Sequence, residues 1–302
     1  MMQVLDNIYI TSQPSESFLN GNFKNVNLLI GSNTNEAAFF AVNLAQLSLL
    51  SIGNFDFFKY LLNFYYSAYQ FLNQNQSVSF QNIIQLYIPT DVLNDNTTNY
   101  LDYIFQIGTD SSFKCPTIKL ADYESQVNPN VYVYSYGYQI SSSPYSSKYE
   151  AVHSEELYMV YAEPLSVKIL PLLDESVYSS VYNNYSAYER NISETIVNYW
   201  GNFIKNQKPT LSTDEWPQFK NRNGDPINRS IKSLNGNESN VFNFQLNDTK
   251  YLFWTTGNTN TSTAPTTTTL SSTTMKGSAA ASLSIKLQVF YLEFLFFLLF
   301  LF

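Results

Sequence analysis

One cysteine and one histidine among 302 residues leave little room for several kinds of chemistry. A single thiol, Cys115, cannot close an internal disulfide or contribute to a paired-cysteine metal cluster. With His153 as the sole imidazole, a zinc site would have to be built mostly from carboxylates, so neither a metal nor a cofactor is expected. Charge is also scarce: Asp, Glu, Lys and Arg make up 13% of the chain, with a net charge of −8. That balance argues against nucleic acid or an anionic membrane surface as partner. Of the ten glycines, none forms Gly-x-Ser-x-Gly, the strained strand-to-helix turn that presents a nucleophilic serine. The nearest stretch, "IGSNTN", has Gly31 before Ser32 but no second glycine where one is needed. No glycine run of the HGGG kind offers oxyanion N–H donors either. The opening "MMQVLDNIYITSQPSE" lacks the basic stretch and apolar run of a secretory signal.

Apolar residues are plentiful at 44%, with 17% aromatic, enough for a sizeable core in one large domain or two small ones. "VNLLIG" (26–31) predicts a buried strand closed by a turn at Gly31, and "NEAAFFAVNLAQLSLL" predicts a helix leaving that turn. Residues 55–72 are apolar at helical spacing. "SFQNIIQLYI" fits either a short helix or a strand. Residues 99–125 read as two helical pieces broken at 108–112, and "NVYVYSYGYQI" (130–140) as a strand. His153 falls in the loop after that strand, and "SEELYMVYAE" begins a short helix or turn. Residues 186–206 give an amphipathic helix with Ile192, Ile196, Trp200 and Phe203 on one face and Pro209 beyond its end. "WPQF" and "YLFW" supply later aromatic anchors. No repeat is visible, and the order of elements suits an α/β protein.

The last part of the chain changes character. Residues 255–276 form a Thr/Ser-rich stalk or linker, and 277–302 combine small residues with an apolar terminus. Small residues, spacer and apolar tail are the pattern of a glycolipid-anchor signal, with Gly277, Ser278 and Ala279 as attachment candidates. A retained membrane anchor is the alternative, although the 16 apolar-rich residues 287–302 are short for a span and include Glu293. Either would place the protein at a membrane. Glycosylation sequons stand at Asn75, Asn96, Asn184, Asn191, Asn228, Asn237, Asn247 and Asn260; a composition this rich in Asn, Ser and Thr yields nearly as many by chance.

Two residues could carry proton chemistry. Glu36 and His153 each follow a strand, so both can reach the carboxyl edge of one sheet, as an acid that orients a general base must. On spacing alone, a loop histidine is more often structural or merely exposed, and a glutamate after a turn is more often a helix-start acid favoured by the dipole. Cys115, before Pro116, has no visible activating partner and reads as a buried structural residue.

A series of segments in fixed order adds to this. "NGNFKNVNLLIGSNTNEAAFF", "DSSFKCPTIKLADY", "VYVYSYGY", "AVHSEELYMVY", "YWGNFIKNQKPT", "WPQF" and "YLFW" resemble the C-terminal part of the type-B carboxylesterases and cholinesterases, over residues 1–254. The resemblance implies the C-terminal portion of an α/β-hydrolase, a partial sheet flanked by helices lacking the N-terminal half of the fold. It implies that Glu36 is the acid and His153 the general base of a catalytic triad, and that Glu156 is the carboxylate the family keeps just after the histidine. This sequence departs from the family at Asn35 and Ala37, which flank the acid where Asp and Gly are usual, and at Ser154, where Gly follows the histidine. Cys115 matches a cysteine that cholinesterases tie to a later one, but Tyr251 stands at that place, so no bridge is expected. The oxyanion loop and nucleophile of the family have no counterpart here.

The expectations that follow are three. The chain descends from a carboxylic-ester hydrolase but is inactive alone, an ester being its substrate only if the missing N-terminal half is supplied, through either a shortened gene or an incomplete reading of a longer one. Alternatively it is a cholinesterase-like binding or adhesion protein at the cell surface, with a protein ligand and no use for a serine. The third reading is a degenerate fragment whose exposed strand edges would aggregate.

Overall fold

The computed structural model describes residues 25–39, 79–165 (except 94 and 96), 185–220 and 227–257 (except 237), with positions 8, 11, 12, 16, 17, 20–22, 55, 58, 59, 62 and 63. Asn25–Phe39 and Gly53–Asn260 form one compact unit; Met1–Lys24, Phe40–Ile52 and Thr261–Phe302 are grouped in another. What is described of the latter includes a turn in which the Asn20 N–H bonds to the Glu16 carbonyl at 2.9 Å. Everything below concerns the former.

Its centre is a four-stranded sheet in the order β1-β2-β3-β4: Leu28–Asn33, Val131–Tyr136, Asn228–Asn235 and Glu238–Gln245. The first three strands are parallel and the last closes an antiparallel hairpin. Alternate residues of a strand face opposite sides, and both sides here are apolar. Leu28, Ile30, Val131, Val133 and Ile231 meet helices α1 (Phe80–Tyr87), α3 (Cys115–Val127) and α6 (Thr249–Thr256). Leu29, Tyr132, Tyr136 and Leu234 meet α4 (Glu155–Val160) and α5 (Ala187–Asn206) on the other face.

Local chemistry sets the helix ends. α1 starts where the Ser79 hydroxyl accepts the Asn82 N–H at 3.1 Å. α5 starts with a capping box, Ser186 and Glu189 each bonding the other's backbone N–H, and ends with Gln207 in the left-handed region. α6 starts at the Asp248 cap and runs to Thr256, two residues into the tract read as a stalk.

Three sequence expectations need correction. Gly31 does not close β1; the strand runs on to Asn33. The Tyr134 ring lies over Gly31, where a Cβ would sit 2.4 Å from ring carbons, so the glycine marks a close approach inside the sheet. Nor is the helix broken at 108–112. α2 (Leu101–Thr109) passes through a π-helical turn, Asp110–Lys114, directly into α3. Gly108 is there for contact, because a Cβ on it would lie 2.7 Å from that of Ala37. The third is an omission: the β3–β4 hairpin was not anticipated. The stretch 79–88, which left helix and strand open, is helical, and most of the helix expected over 55–72 lies outside the described residues.

Two buried cations explain why β3 does not read as a strand. Arg229, 4% exposed, reaches Asp122 of α3 through Nε at 2.9 Å and Nη2 at 2.6 Å. Lys232, 1% exposed, donates to Asp214 and to the Glu215 carbonyl, while Tyr199 of α5 also donates to Asp214. α6 is joined to α1 and the π turn by a buried chain of bonds. Trp254 Nε1 donates to Tyr87 Oη at 2.7 Å, which donates to Asp110 Oδ2 at 2.9 Å. Among the described residues, no helix is long and apolar enough to cross a membrane.

Candidate active site

The parallel pairing of β1 with β2 matches Asn33 to Tyr136, so both strands end at one edge of the sheet. The chain leaving β1 makes a tight turn into a 3₁₀ segment, Glu36–Phe39, and the chain leaving β2 returns to that turn at residues 151–153. The Thr34 N–H bonds to the Tyr136 carbonyl at 2.9 Å and the Asn35 N–H to the Ala151 carbonyl at 3.0 Å. Two loops more than a hundred residues apart in sequence are thereby stitched backbone to backbone.

The result is a short contact between the two expected residues: Glu36 Oε2 lies 2.7 Å from His153 Nδ1. The Glu36 side chain is 7% exposed and that of His153 is 29% exposed, so the acid is enclosed and the imidazole stands between core and solvent. Glu36 Oε1 accepts the Asn33 N–H at 2.8 Å, and the next peptide, Ala37 N–H, is held by the Thr109 hydroxyl at 3.1 Å. A carboxylate fixed this way accepts from Nδ1–H, which assigns the imidazole lone pair to Nε2. The rings of Phe39 and Phe113 lie 6.0 and 5.2 Å from the imidazole, the second delivered by the π turn. Such turns recur at functional sites.

Glu156, in the first turn of α4, joins the same cluster. Asn33 Nδ2 donates to Glu156 Oε2 at 2.5 Å and to the Val152 carbonyl at 2.6 Å. Burial pushes the Glu156 carboxyl above the ordinary range and the Glu36 charge adds to the rise, against the pull of the Asn33 bond and His153. Glu155 is raised as well, chiefly by burial. For a carboxyl whose folded pKa is raised, the favourable contribution is fully present below the unfolded value, about 4.3. It is lost as pH rises through the folded value. Glu156→Gln should therefore flatten the decline in stability above that pH, read as urea midpoints at stepped pH; Glu155 leaves a residual slope of the same sign.

Ser154 takes φ 70° and ψ 1°, a left-handed conformation that suits the glycine the family resemblance places there. Ser154→Gly is expected to stabilise the fold by about 1 kcal/mol, seen as a higher denaturant midpoint. Glu150, at φ 53° and ψ −142°, is strained on the other side of the histidine. Asn35 and Ala37 are accommodated without such strain: neither has a positive φ.

The remaining candidates lie elsewhere. Cys115 is 2% exposed, and burial, with Asp110 nearby, pushes its thiol well up, which keeps it protonated. Tyr251 is buried in the same core cluster. Among the described residues there is no group of three His, Cys, Asp or Glu side chains able to hold a metal. Asn191 and Asn247 are exposed and Asn228 is half-buried on β3. Asn75, Asn96, Asn184, Asn237, Asn260, Gly277, Ser278 and Ala279 lie outside the described residues. Sequence reasoning missed the contributions of Asn33 and Thr109, whose only signal is position: one ends β1 and the other sits where α2 passes the acid turn.

A family model described as "Carboxylesterase family" matches residues 1–254. The chain belongs to the carboxylesterase family. Its four-stranded mixed sheet between helical layers is a partial α/β-hydrolase fold. Among curated carboxylesterase-family relatives, acetylcholinesterase 1 of Caenorhabditis elegans is 22% identical over 244 residues, covering 76% of this chain and 37% of that protein. Acetylcholinesterase-1 of Trittame loki is 25% identical over 161 residues, covering 53% and 25%. The acetylcholinesterase of Bungarus fasciatus is 21% identical over 224 residues, covering 72% and 33%. The matched region thus spans little more than a third of these relatives at most.

Proposed function

We propose that this chain carries the acid–base part of a carboxylic-ester hydrolase, with Glu36 orienting His153 and the nucleophilic serine supplied from outside these 302 residues. The 2.7 Å contact between Glu36 and His153 carries the reading. In the reaction, a serine hydroxyl attacks the ester carbonyl, His153 Nε2 takes its proton, and the same proton goes to the leaving alcohol. Water then repeats the sequence to release the acid. Glu36 holds the tautomer and stabilises the imidazolium. The nucleophile motif is absent from the sequence, so the purified chain should hydrolyse p-nitrophenyl butyrate no faster than buffer. A longer chain that adds the N-terminal half of the fold ahead of Met1, with an in-frame Gly-x-Ser-x-Gly and an oxyanion loop, should hydrolyse it. Turnover by the 302-residue chain that disappears in His153→Ala would overturn the division of labour. The C-terminal pattern supports attachment at a membrane through residues 277–302, by glycolipid or by the apolar segment itself.

A further inference from the structure

The proposed acid–base pair depends on how the histidine loop is held against the acid turn, and one side chain outside the pair spans both. Asn33, the last residue of β1, is 2% exposed. Its backbone N–H fixes Glu36 Oε1 at 2.8 Å, while its side-chain nitrogen donates to the Val152 carbonyl at 2.6 Å and to Glu156 Oε2 at 2.5 Å. The Val152 carbonyl belongs to the peptide bond that leads into His153. The backbone near the histidine is also held by the Asn35 N–H on the Ala151 carbonyl at 3.0 Å and by Glu155 Oε2, which accepts the Val152 N–H at 3.1 Å. Glu150 and Ser154, however, both have positive φ, and the Val152 carbonyl's other bond, from the Glu155 N–H, is longer at 3.2 Å.

We infer that Asn33 is a positioning residue: its side-chain amide pins the Val152–His153 peptide and the Glu156 carboxylate to the acid turn, and so fixes the imidazole against Glu36. This rests on reading Glu36 and His153 as a working pair. The need for a donor is specific. Aspartate has the same shape as asparagine but, ionised, cannot donate, and it would set a third carboxylate between Glu156 and Glu36. A loop resting on two strained residues would then lose its shortest side-chain tether. Losing one such bond shifts a conformational balance by roughly tenfold.

Because His153 is the only histidine, the imidazole nitrogens of the uniformly ¹⁵N-labelled full chain give one resolved pair of signals. The wild-type chain should show a single Nδ1–H tautomer with a downfield, slowly exchanging proton. Asn33→Asp should lower the population of that tautomer about tenfold relative to the alternative and broaden or erase the proton signal. The double change Asn33→Asp with Glu156→Gln restores a bond of reversed direction between positions 33 and 156, leaves the Val152 carbonyl without its side-chain donor, and should recover the signal only in part. Asn33→Ser, smaller and too short to bridge both acceptors, should give the same loss and serves if the aspartate chain does not fold. A folded chain with either single substitution that keeps the wild-type tautomer overturns the inference, and failure of both to fold also withdraws it in favour of a purely structural role. Glu36→Gln separates the two readings. If it leaves the imidazole signals unchanged, the pair itself is wrong; if it alters them while the Asn33 changes do not, only Asn33 has been misassigned.

Discussion

Asp214→Ala is expected to destabilise the fold by about 3 to 5 kcal/mol. The reason lies in what the substitution leaves behind. Lys232 sits in β3 with 1% of its side chain exposed, and its ammonium donates to Asp214 and to the Glu215 carbonyl. Without the carboxylate, a buried positive charge keeps one carbonyl for company and the Tyr199 hydroxyl loses its bond to Asp214. The Tyr199 ring, 5.9 Å from the ammonium, is too weak a substitute. Replacing the ion pair together, Asp214→Leu with Lys232→Met, should recover most of the loss, because two apolar side chains leave no charge to desolvate. Urea unfolding of the three chains, followed by tryptophan fluorescence, measures both effects. A cost below about 1 kcal/mol, the range of an exposed pair, would show that water reaches Lys232.

In a longer chain that supplies the serine, Glu36→Gln should lower kcat for ester hydrolysis by about ten-thousandfold with little change in KM. The glutamine keeps the shape of the side chain, so substrate binding has no reason to change. It can, however, turn its amide towards Nδ1 and favour the tautomer with hydrogen on Nε2, which cannot accept the serine proton. The enclosed position of Glu36, with Oε1 held by the Asn33 N–H, allows no bulk water to take over its role. A loss of only a few-fold would mean that His153 keeps its tautomer by other contacts and would count against Glu36 as the orienting acid.

These predictions rest on features of unequal visibility in the sequence. β2 was legible because its β-branched and aromatic run lies between Pro129 and a serine cluster, and α5 because its apolar stripe has helical spacing. β3 was not, since Arg229 and Lys232 occupy buried positions and interrupt the apolar alternation. Their partners, Asp122 and Asp214, come from α3 and from the loop after α5, and no local pattern reports such pairing. The Asn235-Gly236 turn was the one readable sign of the hairpin, with Gly236 at φ 71°. At the site, Glu36 and His153 were individually visible as residues after strands. That they touch depends on β1 lying parallel and adjacent to β2, a fact of sheet order. Asn33 and Thr109 gave no signal beyond their position because their side chains act on loops distant in sequence.

The way α6 is fastened has a mechanical consequence. If the segment beyond it tethers the protein to a surface, tension passes through Gly257 into a helix of eight residues. No covalent cross-link shares that pull, since Cys115 is the chain's one cysteine. Resistance falls to the core packing of Tyr251, Phe253 and Trp254, to the Trp254–Tyr87–Asp110 chain and to Lys119, which grips the Thr255 carbonyl at 2.8 Å. Unzipping should therefore begin at this end under force, and the force needed should be insensitive to reductant.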